Sequence, residues 1–140
     1  MGDLRLRDDA PVSVPVAAFA SFSEGANAAA VRIEPGDDAR ALLPFLGQLK
    51  LVEVNFPAFT DGRGHSAARI LREAGYAGEL RATGDILVDQ LPALRRCGFD
   101  SFAPQGAMDA ADADAALNRW ADVYQATADG RVPVWAKRHG

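Results

Sequence analysis

A chain of 140 residues, 49% hydrophobic and 24% charged, has the size of one domain that buries roughly two-thirds of its unfolded surface. No apolar run approaches the ~20 residues of a membrane span, and a net charge of −4 argues against a nucleic-acid partner, which calls for a basic face. The charged segment Met1 to Asp9 has no apolar signal core, so a cytoplasmic protein is expected. With one cysteine, Cys97, and two histidines, His65 and His139, an internal disulfide is excluded. A four-cysteine cluster is excluded too, and a zinc site is not expected.

Residues 1–28 read as an N-terminal arm, in which the apolar stretch Pro11 to Ala20 suits an extra strand along a sheet edge. Residues 29–128 read as the domain proper. Ala28 to Glu34 forms a strand closed by Pro35-Gly36. Asp37 or Asp38 caps a following helix with Ala39, Leu42, Leu43 and Leu46 on one face, which Pro44 kinks or shortens. Leu49 to Phe56 is the second strand. A helix over His65 to Ala74 follows, with Ala67, Ile70, Leu71 and Ala74 at helical spacing and Gly75 as its stop. Glu79 to Thr83 is the third strand. The next helix starts near Asp89 or Gln90, which puts Pro92 in its first turn, and Gly98 ends it. Cys97 at its end is either a small buried residue or a thiol activated by Arg95 and Arg96. Phe99 to Ala103 is the fourth strand. Asp109 or Asp112 opens a last helix with a stripe of Ala113, Ala116, Leu117, Trp120, Val123 and Tyr124. Residues 129–140 form a tail in which Val132, Pro133, Val134 and Trp135 stand among basic residues. That tail packs on its own domain or on a second subunit.

Four βα units in succession predict an α/β fold with a parallel sheet and right-handed crossovers. Strand side chains alternate between faces. Val31 and Ile33 oppose Arg32 and Glu34. Val52, Val54 and Phe56 oppose Leu51, Glu53 and Asn55, and Leu80 and Ala82 oppose Glu79, Arg81 and Thr83. One apolar face per strand suits helices on one side only, as in half of a TIM-type (βα)8 barrel. Half a barrel has two open edges, which a symmetric homodimer would close. A flavodoxin-like open sheet is the alternative. Arg32, Glu53, Glu79 and Arg81 can be buried only if they pair, as a salt-bridge network or as a polar ligand pocket.

Ligands of parallel α/β folds bind at the carboxyl ends of the strands. The loop Phe59-Thr60-Asp61-Gly62-Arg63-Gly64-His65-Ser66 and the segment Arg81-Ala82-Thr83-Gly84-Asp85 both fall there. Glycines let the backbone approach a ligand, and a helix start offers N–H groups to an anion. Arginines can clamp a phosphate, sulfite or carboxylate. The expected ligand-binding set is Asn55, Asp61, Gly62, Arg63, Gly64, Ser66, Arg81, Thr83 and Asp85. The same residues also suit a purely structural turn, with Asp61 closing it and Ser66 capping a helix. The Walker and dinucleotide fingerprints are absent, since Ala67 stands where the third glycine belongs. No cofactor is named by the motifs, and no catalytic constellation is evident.

Phe56-Pro57, Phe59-Thr60-Asp61-Gly62-Arg63-Gly64, Ser66 and Ala68-Arg69 form one signature. Gly75-Tyr76, Gly78-Glu79-Leu80-Arg81-Ala82, Gly84-Asp85, Asp89-Gln90 and Arg96-Cys97-Gly98-Phe99-Asp100 continue it. Over about Val31 to Phe102 the chain closely resembles an uncharacterised bacterial family, a domain of unknown function encoded beside assimilatory sulfite or nitrite reductase genes. Its members are often labelled probable oxidoreductases involved in sulfite reduction. The resemblance implies an accessory role in sulfite reduction and carries over no catalytic residue. His65 stands where the family often has tyrosine. The oxidoreductase label would require electrons to pass through a bound cofactor or a partner. Three roles therefore compete. The first is an accessory protein that binds a small anionic or phosphorylated ligand. The second is a non-catalytic partner of sulfite reductase acting through the Trp135 tail or a sheet edge. The third is an enzyme centred on Asp61, Arg81 and Asp85.

Overall fold

A computed structural model describes residues 4–12, 14–25, 28–58, 62–106 and 108–119. Its strands are β1 (Leu4–Arg5), β2 (Ala17–Ala18), β3 (Ala30–Ile33), β4 (Leu51–Phe56), β5 (Glu79–Gly84) and β6 (Ser101–Pro104). They form one sheet in the order β1-β6-β5-β4-β3-β2. From β2 to β6 all pairs are parallel and follow chain order, while β1 joins β6 antiparallel. A doubly wound sheet has a point where strand order reverses. This sheet has none among its parallel strands, so successive crossovers of one hand fall on one side.

That side is the apolar one. Val31, Ile33, Val52, Val54, Phe56, Leu80, Ala82 and Phe102 are buried and share one core with the helices. The helices are α1 (Phe19–Gly25), α2 (Arg63–Glu73), α3 (Leu91–Cys97) and α4 (Ala110–Arg119). Their contributions to that core include Phe22, Ala67, Ala68, Leu71, Leu91, Leu94, Ala113 and Leu117. Full burial of each large aliphatic or aromatic side chain contributes about 1.5–3 kcal/mol. Among the described residues no helix is long and apolar enough to cross a membrane.

Three local outcomes differ from expectation. The segment Ala39–Phe45 is a 3₁₀ helix, capped by Asp38, whose carboxylate accepts from the Arg40 N–H. Three residues per turn align Ala39, Leu42 and Phe45. Ala39 and Leu42 are buried, whereas Leu43, assigned to the same face by an α-helical period, is 36% exposed. Helix α2 begins at Arg63, with Gly62 at its N-cap and no side-chain cap, so Ser66 lies inside the helix and does not cap it. The arm builds more than one edge strand: β1 and β2 take opposite edges of the sheet, and α1 stacks Phe22 edge-on against Phe45 at 5.4 Å.

Other boundaries follow their sequence signals. Pro92 sits in the first turn of α3, behind a short 3₁₀ turn over Val88–Gln90, and Gly98 ends the helix at φ +117°. Asp109 caps α4, its Oδ1 accepting from the N–H groups of Ala111 (2.8 Å) and Asp112 (3.1 Å). Cys97 is buried. Trp120, Val123, Tyr124 and the Trp135 tail lie outside the described residues.

Candidate functional site

The face opposite the helices is organised in rows set by strand register. Arg32, Glu53, Arg81, Ser101 and Arg5 are direct neighbours on β3, β4, β5, β6 and β1. Their charges interlock. Arg32 Nη2 lies 2.9 Å from Glu53 Oε1, and Arg81 Nη1 lies 2.9 Å from Glu53 Oε2. Arg81 Nη2 lies 3.2 Å from Glu79 Oε2, and Arg5 Nη2 lies 2.8 Å from Glu79 Oε1. Arg81 Nε donates to Ser101 Oγ at 3.3 Å. Glu53 and Glu79 are buried, as a carboxylate can be when it has partners on both oxygens. Burial alone would raise the Glu79 pKa. Hydrogen bonds from Arg5 and Ser101, with the charges of Arg5 and Arg81, outweigh it and hold the group below the ordinary carboxylate value.

The chain of ion pairs continues under the amino ends of the strands. Asp9 bridges Arg5 (2.8 Å) and Arg7 (2.7 Å), and Arg7 Nη1 reaches Asp100 Oδ2 at 2.7 Å. Asp100 also holds Arg72 Nη2 at 3.1 Å and accepts the Leu80 N–H at 3.0 Å. Arg72 in turn donates to the carbonyls of Gly98, Tyr76 and Gly78 at 2.8–2.9 Å. None of Arg5, Arg7, Asp9, Arg72 and Asp100 was expected at a site. Their partners lie up to 93 residues away in the chain, and no local pattern announces them.

One row above the ionic row, at the carboxyl ends, stand Glu34, Asn55 and Thr83. Asn55 and Thr83 are register partners. Asn55 Nδ2 donates to Glu34 Oε1 at 2.8 Å, and Thr83 Oγ1 donates to Asn55 Oδ1 at 3.4 Å. Beside this row a small, open cleft of about 20 Å³ lies between the Glu34–Asp37 turn and the start of α2. It is lined by Glu34, Asp37, Asn55 and Arg63 over Ile33 and Val54. Asp37 Oδ2 already accepts the Glu34 N–H at 2.8 Å. Arg63 is exposed, and its guanidinium comes near Gly36. In the first turn of α2 the His65 N–H donates to Gly62 O at 3.2 Å, and the helix dipole there favours an anion.

The glycines of this region have separate reasons. Gly64 is buried in the first turn of α2, where a Cβ would stand 2.5 Å from the Phe56 ring and 2.9 Å from Val54 Cγ1. Its missing side chain serves helix-on-strand packing. Gly62 has open space around it and an ordinary αR backbone. Gly84, at φ +97°, carries β5 past the end of β4. A Cβ there would collide with the Phe56 carbonyl and come within 2.6 Å of Asn55 Oδ1. The Asp85 N–H donates to that same Phe56 carbonyl at 2.7 Å, and the Gln105 N–H donates to Gly84 O at 2.8 Å. His65 presents its ring edge-on to Phe56, 5.5 Å between centroids. Desolvation, with the charge of Arg69, lowers its pKa below the ordinary 6.5.

Of the expected site residues, Asn55, Arg63 and Gly64 line the cleft together, and Thr83 is hydrogen-bonded to Asn55. Gly62 and the exposed Ser66 belong to the same helix start. Arg81 is committed to Glu53, Glu79 and Ser101, one row below. Asp61, with Phe59 and Thr60, lies outside the described residues. Among the described residues no group of histidine, cysteine and acidic side chains could hold a metal ion.

No curated protein and no solved structure matches this sequence. A family model described as "Bacterial protein of unknown function (DUF934)" matches residues 30–135, from the start of β3 through the undescribed C-terminal segment. The chain that builds this charged sheet face belongs to that bacterial family of unknown function.

Proposed function

We propose that the protein is an accessory component of assimilatory sulfite reduction that binds a small anionic or phosphorylated ligand at the carboxyl ends of β4 and β5. One observation carries the ligand half of this reading: the polar groups of the sheet divide by level. At the amino ends and mid-strand, Arg5, Arg7, Arg72 and Arg81 are taken up by carboxylates and carbonyls. At the carboxyl ends Asn55, which accepts from Thr83, and Arg63 line an open cleft beside the start of an 11-residue helix. In parallel βα proteins the amino-end level serves stability and the carboxyl-end level serves ligands. The sulfur half rests on the resemblance given above.

The same reading takes β3 to β6 as half of an eight-stranded βα barrel, closed by a second copy. In-order parallel strands with one apolar face support it. Contact with the reductase belongs to the proposal as well, and co-purification of full-length and tail-deleted chains tests it.

Calorimetry with sulfate, sulfite and phosphorylated metabolites tests the ligand. Binding is expected, weakened tenfold or more in Arg63→Ala and Asn55→Ala. A ligand at a hundred times its Kd should stabilise the fold by about 2.7 kcal/mol. No heat and no stabilisation from any of these compounds would end this reading.

A further inference from the structure

We propose that the imidazole of His65 is an acid-released latch, which holds the first turn of α2 on the sheet and with it one wall of the strand-end cleft. The turn depends on such an anchor. Its N-cap is Gly62, which has no side chain to cap it. Packing on one ring fastens it instead. Gly64 lies so close to Phe56 that a Cβ would stand 2.5 Å from the ring, and His65 sets its own ring edge-on to Phe56 at 5.5 Å between centroids. Phe56 is buried and meets Phe99 edge-on at 5.9 Å, so the anchor point belongs to the core. Arg63 and Gly64, in the same turn, line the cleft.

The closed latch suits only a neutral ring. His65 is half-buried, and its Nδ1 is shut off from water and finds no hydrogen-bond partner among the described residues. A positive charge placed there is costly unless it is paired. β4 faces the ring with Phe56, and among the described residues neither the 3₁₀ helix nor α3, the other elements packed on α2, brings a charge that acts on it. Arg69 does act on it, from the next turn of α2, and its sign opposes protonation. The Gly62 carbonyl favours the protonated ring, but the His65 N–H already holds that carbonyl at 3.2 Å. A protonated ring that takes it competes with the first bond of the helix. Burial outweighs this help, so the closed ring has a pKa below the ordinary 6.5 that it regains in water. The latch is therefore closed above pH 6.5, and the open state gains as pH falls through the lowered value. Its population grows by the factor that separates the two pKa values, about tenfold per unit. Opening stays local, because Ala67, Ala68 and Leu71 keep the rest of α2 in the core. Control of the cleft rests on the ligand reading above, whereas the latch itself does not.

Nuclear magnetic resonance on the full chain tests this. The chain has two histidines, His65 and His139, so the ring signal missing from His65→Phe assigns the other. The His65 titration midpoint is expected below 6.5, its ordinary value, and should rise in Arg69→Gln, which removes the opposing charge. Arg69 is exposed, so that variant carries the test if His65→Phe fails to fold. Amide exchange, corrected for its intrinsic pH dependence, should quicken at Gly64, His65 and Ser66 as pH falls through the midpoint, by the factor that the measured midpoint shift sets. Leu71 should not follow, and the effect should vanish in His65→Phe. A His65 midpoint at or above 6.5, or first-turn exchange that ignores it, overturns the latch. Calorimetry with sulfate above and below the midpoint tests control of the cleft. Weaker binding in acid for the parent protein and not for His65→Phe supports it, and equal affinity at both pH values overturns it. Sulfate that never binds, while the turn still opens in acid, supports the latch and counts against the ligand reading.

Discussion

Arg72 and Asp100 meet 3.1 Å apart beneath the sheet, on side chains that are 3% and 12% exposed, and tie the end of α2 to the start of β6. The geometry leaves Arg72 little choice. Gly98 has no Cβ, and one there would collide with Arg72 Cγ. The guanidinium passes over it to the carbonyls of Gly98, Tyr76 and Gly78. Asp100→Asn keeps an acceptor for the Leu80 N–H but removes the counter-charge of a buried arginine. Such a loss costs about 3 kcal/mol or more, a large share of a typical domain's stability. Urea unfolding should show it, and a midpoint equal to that of the parent protein would refute the role given to this pair.

Gly64 and Gly62 separate packing from turn chemistry. Gly64→Ala puts a methyl into the Phe56 ring and Val54. Overpacking of about 1–3 kcal/mol exceeds the ~1 kcal/mol of helix propensity gained, so the variant should be less stable by about 1 kcal/mol. Gly62→Ala meets nothing within 4 Å and should change stability less. Gly84→Ala should be the most severe of the three, because left-handed strain adds to a collision with the Phe56 carbonyl. Thermal or urea midpoints rank the three, and any other order contradicts the assignment.

Arg81 and Thr83 lie two residues apart on β5, and their substitutions should part company. Arg81→Ala leaves Glu53 with Arg32 and Glu79 with Arg5, and both acids are buried. A loss of about 2 kcal/mol is expected. Thr83→Val removes one long hydrogen bond of 3.4 Å and should stay within about 1 kcal/mol. If the ligand reading holds, Thr83→Val weakens binding without unfolding the protein, and calorimetry on the folded variants separates the two effects.

Acid should act in two windows. His65 has a pKa lowered from 6.5 by desolvation, so the native state binds its proton less readily than the unfolded chain. Its contribution is present above pH 6.5 and lost as pH falls through the lowered value. Glu79 is held below its ordinary 4.5 despite burial, by Arg5 and Ser101 hydrogen bonds and nearby arginine charge. Its contribution is present above pH 4.5 and lost only further into acid. His65→Phe should flatten the upper window of urea midpoint against pH, and Glu79→Gln the lower one. An unchanged profile in either variant removes that group from the account.

Much of the fold is legible in local pattern. Alternation along Val31 to Glu34, Leu51 to Phe56 and Glu79 to Thr83 identifies the apolar face, and those side chains are the buried core. Gly98 and Asp109 mark helix ends because caps are local chemistry. The 3₁₀ helix shows where local pattern misleads, since Leu42 and Leu43 fit an α-helical stripe and only packing selects the three-residue period. The candidate site divides the same way. Its level at the carboxyl ends follows from strand-then-helix order, while the duty of each residue does not. Gly64 looks like a ligand-approach glycine until Phe56 is placed against it, and Arg81 looks like an anion clamp until Glu53 and Glu79 close on it.

The sequence alone determined an α/β chain with one-sided strands, a glycine-rich turn at a strand end, and four charges that had to pair. Those depend on neighbours a few residues apart and on the balance of signs. Tertiary structure decided that Arg5 and Arg7 reach acids 74 and 93 residues away, and that one arm takes both edges of the sheet. Contacts of that range are set by how whole elements pack, and no local run of residues records them.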